Sequence, residues 1–360
     1  MGKRICNVQI DGETFAAHQG DLLLDAALMN GIELPHDCRS GYCGTCHVRV
    51  LAGHAFGGAT SQPNVVHACQ ARVISDMQIA VENTLPVTEV SGHVSDIVAI
   101  APDVLEVCVK PTEAVDYIPG QYLSVQFRGF PARCYSPTAP LEWPCDPDAI
   151  RFNIRQFPDG RVSSELGRKI VKGHKVTLTG PFGSAYFRPR NESRMVLVSS
   201  GTGFAPIWSI AEAAIKEWPE RELVLIAGAR TLESLYMIPA LCRLAPFPRV
   251  TIIPVVSAQH DATRAVRSGR PPDYLPALTP DDVVYAGGAP AMVEAVTRIA
   301  NAAGARCYVD PFEIASNSES GTNLLTRAAQ WFMPNVEDSP SLSMSGWMDQ
   351  YTERKASAPT

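Results

Sequence analysis

Apolar residues in the first 85 positions alternate in short strand-like runs around one helical stretch. Residues 5–10 and 14–17 each alternate between apolar and polar side chains, which predicts a β-hairpin. Asp21 is a favourable N-cap for the helix that follows, and Gly31 is a favourable stop signal. The predicted sheet is completed by two further apolar runs, at residues 48–51 and 79–81. We therefore expect residues 1–85 to form a small α+β domain.

The pattern then changes twice along the chain. A stretch without periodicity at residues 82–92, which contains a proline, is interpreted as a linker. Residues 86–190 contain short strands separated by Gly- and Pro-rich turns, which predicts an antiparallel β-barrel. Residues 191–312 alternate continuous apolar strands with helical segments, which predicts an α/β domain with a parallel sheet. Residues 313–360 are rich in Ser, Asn, Glu and Pro and predict a mostly irregular C-terminal tail, either disordered or a docking segment.

Composition narrows the function classes for a multidomain chain of this length. The 360 residues are 46% hydrophobic, so each domain has enough apolar side chains for a core. The formal net charge of −6 argues against a nucleic-acid binder that works through phosphate contacts. No apolar run is long enough to predict a membrane span, and the first residues lack the pattern of a signal peptide. We expect a cytoplasmic protein whose thiols are reduced.

Four of the ten cysteines are arranged with the spacing of a plant-type [2Fe–2S] site. The spacing lets one loop supply three thiolates while a distant cysteine closes the other side of the cluster. A structural zinc site usually consists of two separated cysteine pairs, which fits three close cysteines and one remote cysteine poorly. The predicted cluster ligands are Cys38, Cys43, Cys46 and Cys69.

The segment around the first three cysteines resembles a known family. Residues 34–46, LPHDCRSGYCGTC, are similar to the ferredoxin module of bacterial oxygenase reductases. The resemblance implies a β-grasp-like ferredoxin domain with a [2Fe–2S] cluster. The 22 residues between Cys46 and Cys69 are fewer than this family usually has, so the loop that covers the cluster is expected to be shortened.

A second motif pair lies in the strand-rich region. Arg133, Tyr135 and Ser136 form an R-x-Y-S motif on a predicted strand, and a G-x-x-S motif at residues 160–163 is predicted to begin a helix. Together they resemble the ferredoxin–NADP⁺ reductase superfamily. The resemblance implies FAD, with Arg133 and Ser163 on the pyrophosphate, Tyr135 stacked on the ring and Ser136 near the flavin N5. The further residues assigned to FAD are Asn153, Ile154, Arg155, Gly160, Arg161 and Val162.

The third region carries two glycine turns at predicted strand ends, which is where open α/β sheets bind ligands. Both turns resemble the nicotinamide-binding turns of the same superfamily, although the family often has Cys at the position of Gly287. The assigned residues are Gly201, Thr202, Gly203, Gly287, Gly288 and Met292. Phe312 matches the aromatic residue that closes over the flavin. Arg230 and Glu233 follow the second strand of this region. An acidic side chain near the ribose favours NADH, whereas an arginine there favours the 2′-phosphate of NADPH, and we expect NADH.

Three motif sets in the order ferredoxin, FAD, NAD resemble the reductase components of aromatic-ring-hydroxylating dioxygenases. The resemblance implies that electrons from NADH pass through FAD and the [2Fe–2S] cluster to a Rieske-type terminal oxygenase, directly or through a separate ferredoxin, in aromatic hydrocarbon catabolism. Ser136, Tyr135 and Phe312 are the predicted catalytic residues. A multicomponent monooxygenase or a sugar-deoxygenating system are alternative acceptors. A carrier or scaffold with an inactive nicotinamide domain is an alternative of another class.

Overall fold

The computed structural model describes residues 4–10, 13–32, 34–36, 39–41, 44–60, 63–81, 85–141, 146–188, 194–258 and 265–312. Three sheets follow one another along these residues, each with its own apolar core. The tail and two of the four predicted cluster ligands, Cys38 and Cys43, lie outside the described residues. Within the described part, no helix has the length and apolar character needed to cross a membrane.

The first unit is a five-stranded mixed sheet with one helix. Its elements are β1 (Ile5–Ile10), β2 (Glu13–His18), α1 (Leu23–Met29), β3 (His47–Ala52), β4 (Ala55–Phe56), β5 (Val65–His67), β6 (Arg72–Val73) and β7 (Met77–Val81). The strand order is β2-β1-β7-β3-β5, with β1 and β7 parallel and the other pairs antiparallel. The predicted hairpin is confirmed, because β1 and β2 pair from Ile5 opposite His18 to Ile10 opposite Glu13.

The helix of this unit begins differently from the prediction. Its N-cap is Leu22 and carries no side-chain cap. The carboxylate of Asp21 accepts a hydrogen bond from the backbone N–H of His18 at 3.0 Å, so it closes the end of the hairpin instead. Gly31 follows the helix with a φ of +76°, a left-handed conformation that ends helices and that glycine adopts at low cost.

The second unit is a seven-stranded sheet in which every pair is antiparallel. Its strands are β8 (Thr88–Ala101), β9 (Val104–Pro111), β10 (Tyr122–Phe127), β11 (Arg133–Tyr135), β12 (Pro137–Thr138), β13 (Ile150–Arg155) and β14 (Lys175–Phe182), in the order β11-β10-β14-β8-β9-β13-β12. The two outermost strands are consecutive in the chain and only Ser136 separates them. The chain therefore crosses from one edge of the sheet to the other at Ser136.

Two predictions for this region are wrong in detail. The interval interpreted as a linker, residues 82–92, overlaps β8, which begins at Thr88 and pairs with β14. The alternation of β8 is obscured because Gly92 takes the inward-facing position between the buried Val90 and Val94. The helix expected after Gly160 is a single 3₁₀ turn, Ser163–Glu165. Leu166 and Ile170, which follow that turn, pack into the core of the sheet, so the helical turn ends at Glu165.

The third unit has a six-stranded parallel sheet, as predicted. Its elements are β15 (Met195–Ser200), α2 (Phe204–Glu217), β16 (Leu223–Ala229), α3 (Ile238–Leu244), β17 (Val250–Val256), β18 (Arg267–Ser268), β19 (Val283–Gly288), α4 (Pro290–Ala302) and β20 (Arg306–Pro311). The strand order is β18-β17-β16-β15-β19-β20. Separate apolar clusters form on the two faces of the sheet, so helices cover both faces. The carboxyl ends of β15 and β19 lie side by side in the middle of the sheet.

Candidate functional site

The two described cluster-ligand candidates are brought together in the core of the first unit. Cys46 and Cys69 are each 3% exposed and belong to the same apolar cluster. The backbone N–H of Ala68 donates to the carbonyl of Cys46 at 3.0 Å, which holds the remote cysteine segment against the loop segment. Burial keeps water from the sulfur atoms, and soft thiolates are the ligands that iron–sulfur clusters require. The described part of this site fits a [2Fe–2S] cluster.

His47 borders this site and is held neutral. Burial, together with the nearby His67 and Arg188, lowers the pKa of its imidazole to about 3. The rings of His47 and His67 lie 4.4 Å apart between their centroids. The residue after Cys46 therefore carries an uncharged imidazole at neutral pH.

The predicted flavin residues lie where the second sheet changes edge. Tyr135 ends β11 and packs against Phe152 on β13, with ring centroids 6.2 Å apart. Burial raises the pKa of the Tyr135 hydroxyl, so the phenol stays neutral. Arg133 points the same way along β11, and its guanidinium donates to the carbonyl of Ala132 at 2.8 Å. Ser136 is 5% exposed at the crossing point itself.

Strand β13 separates the three residues that the sequence assigned to it. Ile154 is 2% exposed inside the core of the second sheet, whereas Asn153 and Arg155 lie on the opposite face. The carboxamide of Asn153 is buried and forms no well-aligned hydrogen bond among the described residues, although it lies near enough to the Tyr236 hydroxyl to lower the pKa of that group. A buried carboxamide with unused hydrogen-bonding capacity fits a flavin with polar edges. Arg155 forms an ion pair with Asp103 at 2.6 Å.

The G-x-x-S motif forms a tight turn in place of a helix N-terminus. The hydroxyl of Ser163 accepts a hydrogen bond from the backbone N–H of Phe157 at 3.2 Å. A Cβ atom at Gly160 would lie 2.2 Å from this hydroxyl, so only glycine leaves the space between them open. Val162 packs into the core of the sheet, and Arg161 is exposed.

The two glycine turns of the third unit touch each other. A Cβ atom at Gly203 would lie 2.3 Å from the backbone carbonyl of Gly287, and one at Gly288 would lie 2.4 Å from the carbonyl oxygen of Ser200. A Cβ atom at Gly287 would lie 2.9 Å from the carbonyl oxygen of Gly203. Glycine at position 287, where the family often has Cys, is therefore explained by the close approach of the Gly203 backbone. Gly201 and Thr202 lie partly buried in the first of the two turns.

The remaining nicotinamide candidates are spread over the carboxyl edge of the third sheet. The backbone N–H of Phe312 donates to the carbonyl of Gly288 at 2.7 Å, which places Phe312 next to the second glycine turn. Arg230 and Glu233 are both exposed after β16. Met292 is 8% exposed and packs in the core beneath α4, so its side chain supports the turn from behind.

Asp310 is a site residue that the sequence did not single out. Its carboxylate accepts a hydrogen bond from the Ser136 hydroxyl at 3.3 Å, across 174 residues of sequence. Burial raises the pKa of Asp310 to about 7, and the hydrogen bond from Ser136 opposes this rise. The carboxyl end of β20 therefore meets the flavin motif directly. The only local signal was the position of Asp310 two residues before Phe312.

Tyr236 is a second residue of this kind. It is 4% exposed, and its hydroxyl donates to the carbonyl of Gly201 at 3.4 Å. Burial raises the pKa of the hydroxyl. Tyr236 supports the first glycine turn from within the third unit, since its ring lies edge-on to that of Phe204, the first residue of α2, with 6.2 Å between the centroids.

Comparison with known proteins gives the same three units. Residues 7–73 match the family of the 2Fe-2S iron-sulfur cluster binding domain, residues 92–187 that of the oxidoreductase FAD-binding domain and residues 197–298 that of the oxidoreductase NAD-binding domain. The first match replaces the zinc interpretation of the cysteines. The site is thus that of a flavin- and iron–sulfur-containing oxidoreductase.

Relatives with the same set of units are reductase components. The chain is 33% identical to the ferredoxin–NAD(P)⁺ reductase component of the naphthalene 1,2-dioxygenase/salicylate 5-hydroxylase systems of Ralstonia sp., over 81% of this chain and 90% of that protein. It is 31% identical to the reductase subunit of an aromatic O-demethylase of Amycolatopsis sp., over 80% and 92%. The solved cytochrome P450 reductase of Amycolatopsis superposes with a TM-score of 0.64 at 28% identity, over 86% of this chain and all of that one.

The protein belongs to the family of ferredoxin–NAD(P)⁺ reductase components that combine [2Fe–2S], FAD-binding and NAD-binding domains. Relatives of this kind are enzymes, so the hypothesis of a carrier with an inactive nicotinamide domain loses its support. The chain is an oxidoreductase that uses FAD, a [2Fe–2S] cluster and a nicotinamide nucleotide.

The Asp310 contact predicts a pH-dependent stability. The folded-state pKa of about 7 exceeds the ordinary value of 3.8, so the contribution of Asp310 to stability is complete below about pH 4 and is lost as pH rises through 7. We expect the melting temperature of Asp310→Asn to rise relative to that of the wild type as pH increases through this window. Ser136→Ala should raise the pKa of Asp310 further, because the hydrogen bond that lowers this pKa is gone. The pH at which the stability falls should therefore be higher than in the wild type. Parallel melting curves of wild type and Asp310→Asn would contradict the assignment.

Proposed function

We propose that the protein is an NADH-dependent reductase that passes electrons through FAD and its [2Fe–2S] cluster to the terminal oxygenase of an aromatic-ring-hydroxylating system. Delivery is direct or through a separate ferredoxin. The observation that carries this proposal is the meeting of the flavin motif and the nicotinamide strands at Ser136. Its hydroxyl contacts Asp310, and the residue that follows the same strand, Phe312, is hydrogen-bonded to Gly288.

The fold around Ser136 supports three domains with separate roles. Residues 1–85 form a β-grasp-like ferredoxin domain, residues 86–190 an antiparallel β-barrel for FAD, and residues 191–312 the nicotinamide domain. The barrel interpretation follows from the direct passage of the chain between the outermost strands at Ser136. The protein acts in the cytoplasm.

When bound, FAD accepts two electrons as hydride and the [2Fe–2S] cluster carries one electron at a time. The residues of the chain bind and orient. Arg133 and Ser163 would hold the pyrophosphate, Tyr135 would stack on the ring, and Ser136 would align the flavin edge with the nicotinamide. Phe312 would cover the ring in the absence of nicotinamide. The residues that complete the cluster, Cys38 and Cys43, join Cys46 and Cys69.

NADH is the preferred donor in this proposal. Arg230 and Glu233 are the charged groups after β16, and both are exposed where a ribose would lie. A carboxylate accepts hydrogen bonds from the two free ribose hydroxyls of NADH and repels the 2′-phosphate of NADPH. Glu233→Gln should therefore lower the ratio of kcat/KM for NADH to kcat/KM for NADPH. An unchanged ratio would assign the preference to another residue.

Relatives support the oxygenase acceptor, and they also define a second candidate. The reductase components of naphthalene and terephthalate dioxygenases are 30–33% identical to this chain. The electron transfer component of the xylene/toluene monooxygenase of Pseudomonas putida is 30% identical over 71% of the chain. A monooxygenase of an aromatic substrate is therefore the second candidate acceptor.

Anaerobic addition of NADH to the purified holoprotein tests the core of the proposal. Bleaching of the flavin absorbance and the appearance of an EPR signal of a reduced [2Fe–2S] cluster are expected. Purified dioxygenase and monooxygenase components are then added separately, and reoxidation of the cluster identifies the acceptor class. A protein with both cofactors that neither NADH nor NADPH reduces would overturn the proposed function.

A further inference from the structure

The described part of the cluster loop packs against the second sheet through one buried hydroxyl. Thr45, next to the ligand candidate Cys46, is 2% exposed. Its Oγ1 atom lies 3.1 Å from the hydroxyl oxygen of Tyr122 on β10. The same atom accepts a hydrogen bond from the backbone N–H of Gly183 at 3.2 Å. These three groups are 77 and 138 residues apart in sequence, and we name them the loop clasp.

Two close backbone approaches surround the loop clasp. Gly44 has a φ of +71°, and a Cβ atom there would lie 2.0 Å from the Ser184 hydroxyl. A Cβ atom at Gly183 would lie 3.0 Å from the ring of Tyr122. The cluster loop and the end of β14 are therefore pressed together at a point where only glycine leaves room.

The clasp is anchored on the second and third units. Tyr122 is 5% exposed and packs against Phe182, with ring centroids 5.8 Å apart. Arg188 donates to the carbonyl of Ser184 at 3.1 Å and stacks on the ring of Tyr308, with 3.8 Å between the guanidinium carbon and the ring centroid. The segment that holds the cluster loop thus lies on a strand of the nicotinamide sheet.

The clasp also lies beside the flavin motif. Leu123, the residue after Tyr122, pairs with Tyr135 across β10 and β11. The strand position opposite the predicted flavin-stacking ring, Leu123, is therefore directly adjacent to Tyr122, which holds the cluster loop. This arrangement gives the first unit a defined docking position, whereas a tether alone would only raise its local concentration.

We propose that Thr45 and Tyr122 are positioning residues that hold the cluster loop at the distance from the flavin site at which internal electron transfer is fast. The proposal rests on the proposed function. Two hydroxyls sharing one hydrogen bond, with a buried N–H satisfied by the same oxygen, define the position of the loop more narrowly than apolar contact does. The rate of electron transfer falls steeply with the distance between donor and acceptor, so a loop that is free to move away from the flavin site would slow this step.

The test uses two substitutions that remove one hydroxyl each and keep the shape of the side chain, Thr45→Val and Tyr122→Phe. Stopped-flow absorbance follows the holoprotein after anaerobic mixing with NADH, and freeze-quench EPR follows the cluster. Flavin reduction should proceed at the wild-type rate in both variants, and cluster reduction should slow several-fold. Thr45→Ser keeps the hydroxyl and should restore the cluster rate. Thr14→Val, the same change at an exposed position on β2, should behave as wild type.

Hydrogen exchange provides a readout that does not depend on turnover. The Gly183 amide loses its acceptor in Thr45→Val, so its exchange should accelerate, whereas in Tyr122→Phe and Thr45→Ser it should remain slow. If Thr45→Val lowers the cluster content of the purified protein, Tyr122→Phe, far from the ligands in sequence, decides the result. Wild-type cluster reduction in Tyr122→Phe would overturn the proposal. Failure of NADH to reduce the wild-type flavin would instead overturn the proposed function.

Discussion

Cys69→Ser is expected to abolish the [2Fe–2S] signal and to stop electron transfer to cytochrome c, while NADH oxidation with ferricyanide continues. Cys69 lies in the same buried cluster as Cys46, and the further described thiol of that cluster, Cys6, is fixed on the paired strand β1. A serine oxygen is a harder ligand than a thiolate and is a poor substitute in an iron–sulfur site. Loss of a cluster ligand should reduce cytochrome c turnover by about 100-fold or more, since even outer-shell changes at metal sites cost up to about 100-fold.

The control for this prediction is Cys242→Ser. Cys242 is a partly exposed cysteine on α3 in the third unit, distant in the fold from the first sheet. Visible absorbance, EPR and iron content of both variants are measured together with the two acceptor assays. A normal EPR signal in Cys69→Ser would show that the remote ligand is another residue. Loss of ferricyanide activity as well would show that the cluster region supports the flavin site structurally.

Gly203→Ala is expected to weaken nicotinamide binding and to lower the stability of the third unit. The new Cβ atom would lie 2.3 Å from the backbone carbonyl of Gly287 and 2.4 Å from Cα of Gly288. These backbone atoms cannot retreat easily, because β15 and β19 pair up to Ser199 opposite Gly287. Overpacking of this kind costs roughly 1–3 kcal/mol. It exceeds the gain of about 0.5–1 kcal/mol that alanine offers over glycine in a helical conformation, which Gly203 has.

The expected readouts are a lower melting temperature and a KM for NADH raised by about tenfold or more, as a shift of 1.4 kcal/mol in binding corresponds to tenfold. Gly129→Ala serves as control, because that glycine has a φ of +85° and no atom within 4 Å of a new Cβ. It should cost about 1–2 kcal/mol through backbone strain alone and leave the KM unchanged. Unchanged stability and KM in Gly203→Ala would contradict the contact between the two glycine turns.

Local chemistry could be predicted from the sequence because it depends on short spacings. Three local patterns each indicate a ligand without long-range information. They are the four cysteines with plant-type spacing, the R-x-Y-S motif followed by G-x-x-S, and the glycines directly after buried strands. The hairpin and the parallel sheet were predictable for the same reason, since their periodicity lies within one strand or one helix. The start of β8 was missed because a glycine, Gly92, stands between the buried Val90 and Val94 and interrupts the alternation that predicts a strand.

The sequence alone thus determined the family, the order of the three units and the chemistry of their groups. Tertiary structure alone decided how the units meet. The contact of Ser136 with Asp310, that of Thr45 with Tyr122 and the approach of Gly203 to Gly287 join residues that no local pattern connects. The physical reason is that each contact depends on which strands pair and in what register, and pairing is set by the burial of whole sheet faces.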